Sequence, residues 1–302
     1  MNKTLPRRVT IVEVGPRDGL QNEPERVEAA DKITFVEMLA NAGAPVIEIG
    51  AWVRADWVPQ MADSSVVATQ ITRKPDTRYT GLVPNLKGLE YAHAAGMTEV
   101  AVFAAASETF SQRNINKSID ESIALYASVC REAARLQIRV RGYVSTAFGC
   151  PFEGRVDPAA VADVSRRLLD AGVFEVSVSD TIGVAHPGQV PTVLDAVRKH
   201  VPVEQIALHF HDTRGTALAN VLTALYEGVT IFDASAGGLG GCPYAPGATG
   251  NLATEDLIYM LDGLNIDTGI NLAALVDASR FIETKVGHPL VSRYYRASTA
   301  AR

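Results

Sequence analysis

A chain of 302 residues, 47% of them hydrophobic, is long enough for one large α/β barrel or two smaller domains. Charged residues make up 21% and the formal net charge is −6, with no basic stripe, so nucleic acid is not an expected partner. No apolar run approaches the roughly 18 residues that a membrane span requires, so no membrane partner is expected and the chain reads as globular and soluble. The opening Met1-Asn2-Lys3-Thr4-Leu5-Pro6 runs straight into a strand-like segment, and no signal or transit peptide is expected. Cys130, Cys150 and Cys242 are too far apart for a disulfide framework or a Cys-x-x-Cys zinc site, which suits a reducing cytoplasm.

Short β-rich runs alternate with amphipathic segments along the chain. Val9–Val14 reads as a strand followed by a helix over Ala30–Ala42, and Val46–Ile49 leads to Val66–Thr72. Tyr79–Val83 then precedes Leu86–Ala95, Glu99–Phe103 precedes Ile119–Leu136, and Val140–Val144 precedes Ala159–Ala171. Phe174–Val178, Ile206–His211 and Ile231–Ala234 are followed by helices over Pro187–His200, Ala217–Glu227 and Thr254–Leu261. Strict alternation implies a parallel sheet, and eight units imply a closed (β/α)₈ TIM barrel of the α/β class. The alternative is an open doubly wound sheet, but no Gly-x-Gly-x-x-Gly follows the first strand. One domain over 1–302 is expected, with roughly 263–302 forming a C-terminal helical extension outside the barrel.

The chemistry of such a barrel sits on the loops after its strands. Those strand ends carry Arg17-Asp18, Glu48, Asn85, Ser107, Tyr143, Ser177 with Asp180, and His209 with His211. A glycine-dense loop through Asn251 follows the eighth strand. His209 and His211 are two residues apart on a strand and should face the same way. Asp18, two imidazoles and the Asn251 amide make a mixed oxygen and nitrogen ligand set suited to Mg²⁺ or Mn²⁺. Taken singly, Asp18 also reads as a turn or cap residue, and Asn251 as a cap for the helix near Thr254. Arg17 suits a developing enolate or a carboxylate, and equally an ion pair with Glu48 or Glu13. Glu48 ends an apolar strand and needs a cationic partner. In Gly237-Gly238-Leu239-Gly240-Gly241-Cys242-Pro243-Tyr244 the glycines suit a lid or an anion cradle, and Cys242 reads either as an acid or base or as a small buried residue.

Several runs carry a resemblance that covers nearly the whole chain. They are Val12 to Glu23 around Gly15-Pro16-Arg17-Asp18-Gly19-Leu20-Gln21, Trp57-Val58-Pro59-Gln60-Met61, Arg141-Gly142-Tyr143-Val144-Ser145, Asp180-Thr181-Ile182-Gly183, His209 to Thr213, Gly238 to Tyr244, and Gly250 to Asp256. With these the chain resembles the 3-hydroxy-3-methylglutaryl-CoA lyases, barrel metallolyases related to isopropylmalate and homocitrate synthases. The resemblance implies retro-Claisen cleavage of an acyl-CoA to acetyl-CoA and a keto acid, acetoacetate for the usual substrate. It implies metal ligation by Asp18, His209, His211 and Asn251. Arg17 would polarise the thioester carbonyl, Glu48 would arrange the site, and Cys242 would act as proton donor or shuttle. Gln21, Tyr143, Ser177 and Asp180 would meet the substrate, and Glu255 would support the Asn251 region. Either Asp18 or His209 would accept the 3-hydroxyl proton.

The chain departs from the resemblance at Gly50-Ala51-Trp52, at Arg54-Ala55-Asp56, and at Arg214 and Thr216. Trp52 and Arg214 are therefore expected to border an altered acyl pocket, against the alternative of neutral drift outside it. A catalytically silent CoA-ester-binding protein is the reading of a different class. Apolar faces on the outer helices suit a homodimer.

Overall fold

The computed structural model describes residues 4–241 and 250–300. The strands are β1 (Thr10–Glu13), β2 (Val46–Ala51), β3 (Arg78–Leu82), β4 (Glu99–Ala105), β5 (Arg139–Ser145), β6 (Glu175–Asp180), β7 (Ile206–Phe210) and β8 (Ile231–Ala234). They pair in sequence order, all parallel, and β8 pairs with β1 through Val12 opposite Asp233. That closure gives the TIM barrel expected from the alternating pattern and removes the open sheet. Helices lie between the strands and shield the outer face.

Local chemistry sets the helix starts. Ser118 and Glu121 form a reciprocal capping box at the start of Ile119–Arg135. Asp157 accepts from Ala159 N ahead of Pro158–Ala171. Two polar strand-end residues turn out to be caps of this kind. Asn85 accepts from Gly88 N ahead of Leu86–Ala94, and Ser107 accepts from Phe110 N ahead of Glu108–Ile115. The helix Glu108–Ile115 was not expected from the sequence, because Glu-Thr-Phe-Ser-Gln-Arg-Asn-Ile carries little apolar periodicity. Two further helices, Leu272–Val286 and Arg293–Thr299, follow the barrel. The first lies on the Ala29–Asn41 helix and buries Leu275, Ile282 and Val286.

Two of the buried apolar clusters shape the barrel. The large one fills the layer between sheet and helices. The small one groups Val12, Val14 and Val46, with Ile231 packed against them. Parallel register partners project to the same face. Val12 is opposite Asp233, and Asp233 is bonded to Arg141 of β5. A bond between β8 and β5 must cross the barrel, so these side chains fill its interior. One wall of the interior is thus apolar and the other is charged.

Candidate active site

After β1 the chain makes a wide turn over Gly15–Gly19, in which Gly19 N donates to Val14 O at 3.1 Å. This turn carries Arg17 and Asp18 over the mouth of the barrel. Arg17 is buried, and its Nε donates to Glu48 Oε2 at 2.6 Å while Nη1 donates to Asp18 Oδ1 at 2.5 Å. Burial penalises the guanidinium charge, but Glu48 and then Asp18 outweigh it and hold its proton more tightly than usual. Of the two partners weighed from sequence, Glu48 is the one engaged. Glu13 turns away, accepting from Gly15 N, Ala236 N and Thr254 Oγ1.

Asp18 also accepts from Asn251 Nδ2 at 3.0 Å, and its Oδ2 lies 4.0 Å from His211 Nε2. His209 and His211 lie with ring centres 5.1 Å apart and planes tilted by 48°, although β7 ends at Phe210. His211 instead forms an antiparallel bridge with Asn251, flanked by Leu252 N donating to Phe210 O and Asp212 N donating to Gly250 O. The 250–254 segment therefore lies along the end of β7, which is how Asn251 arrives at the site. Close approach depends on glycine. At Gly240 (φ +106°) a Cβ would stand 2.5 Å from Asn251 Nδ2, and at Gly250 (φ +65°) it would overlap the carbonyl oxygens of Gly238 and Gly240.

Asp18, His209 and His211 place one carboxylate oxygen and two ring nitrogens within 4.8 Å of one another, forming a candidate metal centre. Two further observations fit an ion there. First, Asn251 Oδ1 is buried without a hydrogen-bond partner, a cost that a ligand in the cluster would relieve. Burial, followed by His209, lowers the His211 pKa to about 4, so the ring is neutral and can ligate. Burial raises the cost of the Asp18 charge, but Arg17 and the two histidines hold its carboxyl well below the usual range.

Behind the cluster lies a buried network. Arg141 donates from Nε to Glu175 at 2.6 Å and from Nη2 to Asp233 Oδ1 at 2.6 Å. Its Nη1 reaches Tyr143 Oη at 2.8 Å and Asp233 Oδ2 at 3.2 Å. The Tyr143 hydroxyl donates to Glu48 Oε1 at 3.3 Å, and Ser177 Oγ donates to Asp233 Oδ2 at 3.0 Å. His209 Nδ1 stands 3.2 Å from the same Oδ2. Burial works against a charged His209, but the Asp233 contact outweighs it and raises the pKa. Asp233, Arg141 and Glu175 had no expected role. The signal was available in Ile231-Phe232-Asp233-Ala234, an acid in an apolar strand that needs a partner.

The other expected site residues separate. Asp180 accepts from Val184 N and Ala185 N at 2.9 and 3.0 Å, anchoring the loop after β6, and burial pushes its pKa up to about 6. Gln21 is half-buried beside the β1 turn, with no side-chain hydrogen bond among the described residues. Its neighbour Asn22 donates to Gly241 O at 2.9 Å. Glu255 accepts from Gly237 N, and the helix Thr254–Gly263 has Ala253 at its cap position, not Asn251. Cys242 lies outside the described residues.

Trp52 and Arg214 correct the expected pocket. The pairing of β2 with β3 shifts between Glu48 and Ala51, so Ala51 rather than Trp52 takes the inward parity. The Trp52 indole packs beside Gly81 on the helix side of β3 and donates to Ser65 Oγ at 2.9 Å. Arg214 Nη1 donates to the carbonyls of Ile182 and Gly183 at 3.0 and 2.8 Å. Both side chains serve loop structure. In the Trp57 to Met61 run, Gln60 ties Val27 N and Glu25 O, while Trp57 is 63% exposed under the Arg54 guanidinium.

Comparison with known proteins places this geometry. The HMGL-like family model matches residues 8–282. A 3-hydroxy-3-isohexenylglutaryl-CoA/hydroxy-methylglutaryl-CoA lyase from Pseudomonas aeruginosa is 52% identical over 296 residues, 98% of this chain and 99% of that one. The mitochondrial hydroxymethylglutaryl-CoA lyase of Homo sapiens is 53% identical over 279 residues, 92% of this chain and 86% of that protein. A crystal structure of hydroxymethylglutaryl-CoA lyase from Pseudomonas aeruginosa superposes with a TM-score of 0.97 at 52% identity, covering 99% of both chains. An HMG-CoA lyase from Acinetobacter baumannii in complex with coenzyme A and 3-methylmalate gives a TM-score of 0.92 at 38% identity, covering 97% of this chain and 95% of that one.

Proposed function

Because the chain belongs to the HMGL-like family, we propose that it is a carbon–carbon lyase that cleaves 3-hydroxy-3-methylglutaryl-CoA to acetyl-CoA and acetoacetate. The observation that carries this reading is the Asp18–His209–His211 cluster beside a buried Arg17. The relative solved with coenzyme A supports an acyl-CoA as the substrate class.

In the reaction the 3-hydroxyl loses its proton, the C2–C3 bond breaks, and the electron pair passes to the thioester as an enolate. C3 becomes the ketone of acetoacetate, and protonation of the enolate carbon gives acetyl-CoA. Asp18, His209, His211 and Asn251 would hold a divalent ion, Mg²⁺ or Mn²⁺ by the chemistry of the donors. When bound, such an ion lowers the pKa of the substrate hydroxyl. Asp18 and His209 are the two groups placed to accept that proton; His209 could do so only where its unprotonated nitrogen is not engaged by the ion, which favours the Asp18 carboxylate. Arg17 cannot lose its own proton and offers a fixed positive charge to the enolate oxygen. Glu48 and Tyr143 hold the guanidinium in place: Glu48 bonds it, and its charge lies 5.7 Å from the Tyr143 ring centre. We assign delivery of the final proton to Cys242 on its motif alone.

The reading extends to a homodimer, supported by apolar side chains such as Tyr91 and Tyr226 exposed on outer helices, and to a reducing cytoplasm, supported by the buried free thiols of Cys130 and Cys150. Light scattering and cell fractionation read these two points. The test of function is acetyl-CoA release from 3-hydroxy-3-methylglutaryl-CoA by EDTA-stripped protein. Cleavage restored by Mg²⁺ or Mn²⁺ is expected. No release with the ion bound would sink the assignment.

A further inference from the structure

The two ring nitrogens of His209 are not equivalent, because one of them meets a buried carboxylate. Nδ1 lies 3.2 Å from Asp233 Oδ2, which leaves Nε2 as the nitrogen available to Asp18 and His211. Asp233 is the register partner of His209 across β7 and β8, so its carboxylate emerges beside the ring from a rigid strand. It is fully buried, and among the described residues its partners other than the imidazole, Arg141 Nη1 and Nη2 and Ser177 Oγ, all donate to it. A carboxylate against a guanidinium is ionised and only accepts. The proton shared with His209 therefore resides on Nδ1, and in the neutral ring Nε2 presents a lone pair.

We propose that Asp233 is a positioning residue, which fixes His209 in the Nδ1–H tautomer and is itself held by Arg141 and Ser177. The tautomer does not depend on the lyase reading; only the use of Nε2 as a metal ligand rests on it. Arg141 is in turn anchored by Glu175 at 2.6 Å, so the orientation of one ligand is set by a chain of charges crossing the barrel. Asp233→Asn tests the proposal. The amide keeps its oxygen on Arg141 Nη2, which presents the NH₂ to His209 Nδ1 and moves the ring proton to Nε2.

The experiment uses the full chain, ¹⁵N-labelled and held in EDTA, with His209 assigned by the peaks lost in His209→Gln. Two-bond ¹H–¹⁵N spectra, recorded at a pH high enough that the ring is neutral, are expected to show Nδ1–H in the wild type and Nε2–H in Asp233→Asn. Manganese titration followed by electron paramagnetic resonance is expected to show about 10- to 100-fold weaker binding in that variant. Ser177→Ala should keep the tautomer and weaken Mn²⁺ less. A neutral wild-type His209 protonated on Nε2 in place of Nδ1 would overturn the proposal, and that measurement stands even if Asp233→Asn does not fold. Unchanged Mn²⁺ affinity in folded Asp233→Asn would overturn it too. A wild type with the Nδ1–H tautomer that fails to cleave 3-hydroxy-3-methylglutaryl-CoA would count against the lyase reading and leave this one in place.

Discussion

Arg17 Nε donates to Glu48 Oε2 at 2.6 Å beneath the mouth of the barrel. The same guanidinium uses Nη1 on Asp18, so one planar cation serves two carboxylates with different nitrogens. Lysine offers a single ammonium and cannot reproduce that fork. Arg17→Lys should lower kcat by on the order of 10²–10³-fold, the usual effect of losing a donor to a developing oxyanion. Glu48→Gln breaks a buried ion pair and should cost about 3 kcal/mol, near the lower end for such pairs because Asp18 still neutralises Arg17. Steady-state kinetics and denaturant melts read the two effects. Wild-type kcat in Arg17→Lys would remove the guanidinium from the chemistry.

Trp52 and Arg214 make the opposite prediction. Their contacts run to Ser65, Gly81 and the carbonyls of Ile182 and Gly183, away from the metal cluster. Trp52→Phe loses the indole hydrogen bond and some packing, at about 1–2 kcal/mol. Arg214→Ala strands no buried charge and should cost about 1 kcal/mol. Neither should alter the preference among 3-hydroxyacyl-CoA substrates of different chain length. A changed preference in either variant would return that side chain to the acyl pocket.

The different fates of these residues show what the sequence could reveal. Asp18, His209 and His211 were legible because they sit in short runs at strand ends, where period and topology put them on one face. The Arg17–Glu48 pair followed from burying an acid in an apolar strand. Trp52 was expected at the pocket only because it departs from the resemblance just after a strand end, and the irregularity before Ala51, which decides which side of the sheet it faces, leaves no mark in the sequence. Asp233 and Arg141 were missed because their partnership spans the barrel interior and 92 positions of sequence. Only a closed barrel brings them together, and closure is a tertiary fact.

Glu13 and Glu255 give a pH dependence. Both are buried, and burial pushes each up to about 7, against the lowering effect of the hydrogen bonds they accept. A carboxyl with a raised folded pKa binds more protons when folded than when unfolded. Its contribution is therefore fully present below its unfolded value of about 4.5 and is lost as pH rises through about 7. For a single group the loss is on the order of 3 kcal/mol. His211, lowered to about 4, gives the opposite slope below about pH 6.5. The measurement is therefore a difference between wild type and Glu13→Gln in chemical denaturation from pH 5 to 8. Glu13→Gln should gain on the wild type as pH rises, because its amide carbonyl can still accept from Ala236 N. A constant difference across that range would show that Glu13 titrates as it does in the unfolded chain.

Gly250 links backbone geometry to the ligand beside it. Its φ of +65° already disfavours a side chain, and the space is closed by the Gly238 and Gly240 carbonyls. Gly154 shares the left-handed φ (+74°) but has nothing within 4 Å of an added Cβ. Gly154→Ala therefore isolates the cost of the dihedral, about 1 kcal/mol, with no effect on metal binding or cleavage. Gly250→Ala adds an overlap with two rigid carbonyls, and the chain must yield at Asn251, whose backbone bridges His211 and whose amide meets Asp18. Its Mn²⁺ affinity should fall along with kcat, and by more than its melting temperature predicts from the Gly154→Ala control. Equal behaviour of the two variants in metal titration would mean that Asn251 is held by its side-chain contacts to Asp18 and Leu239 rather than by the glycine turn. In that case Asn251→Ala should be the more damaging change.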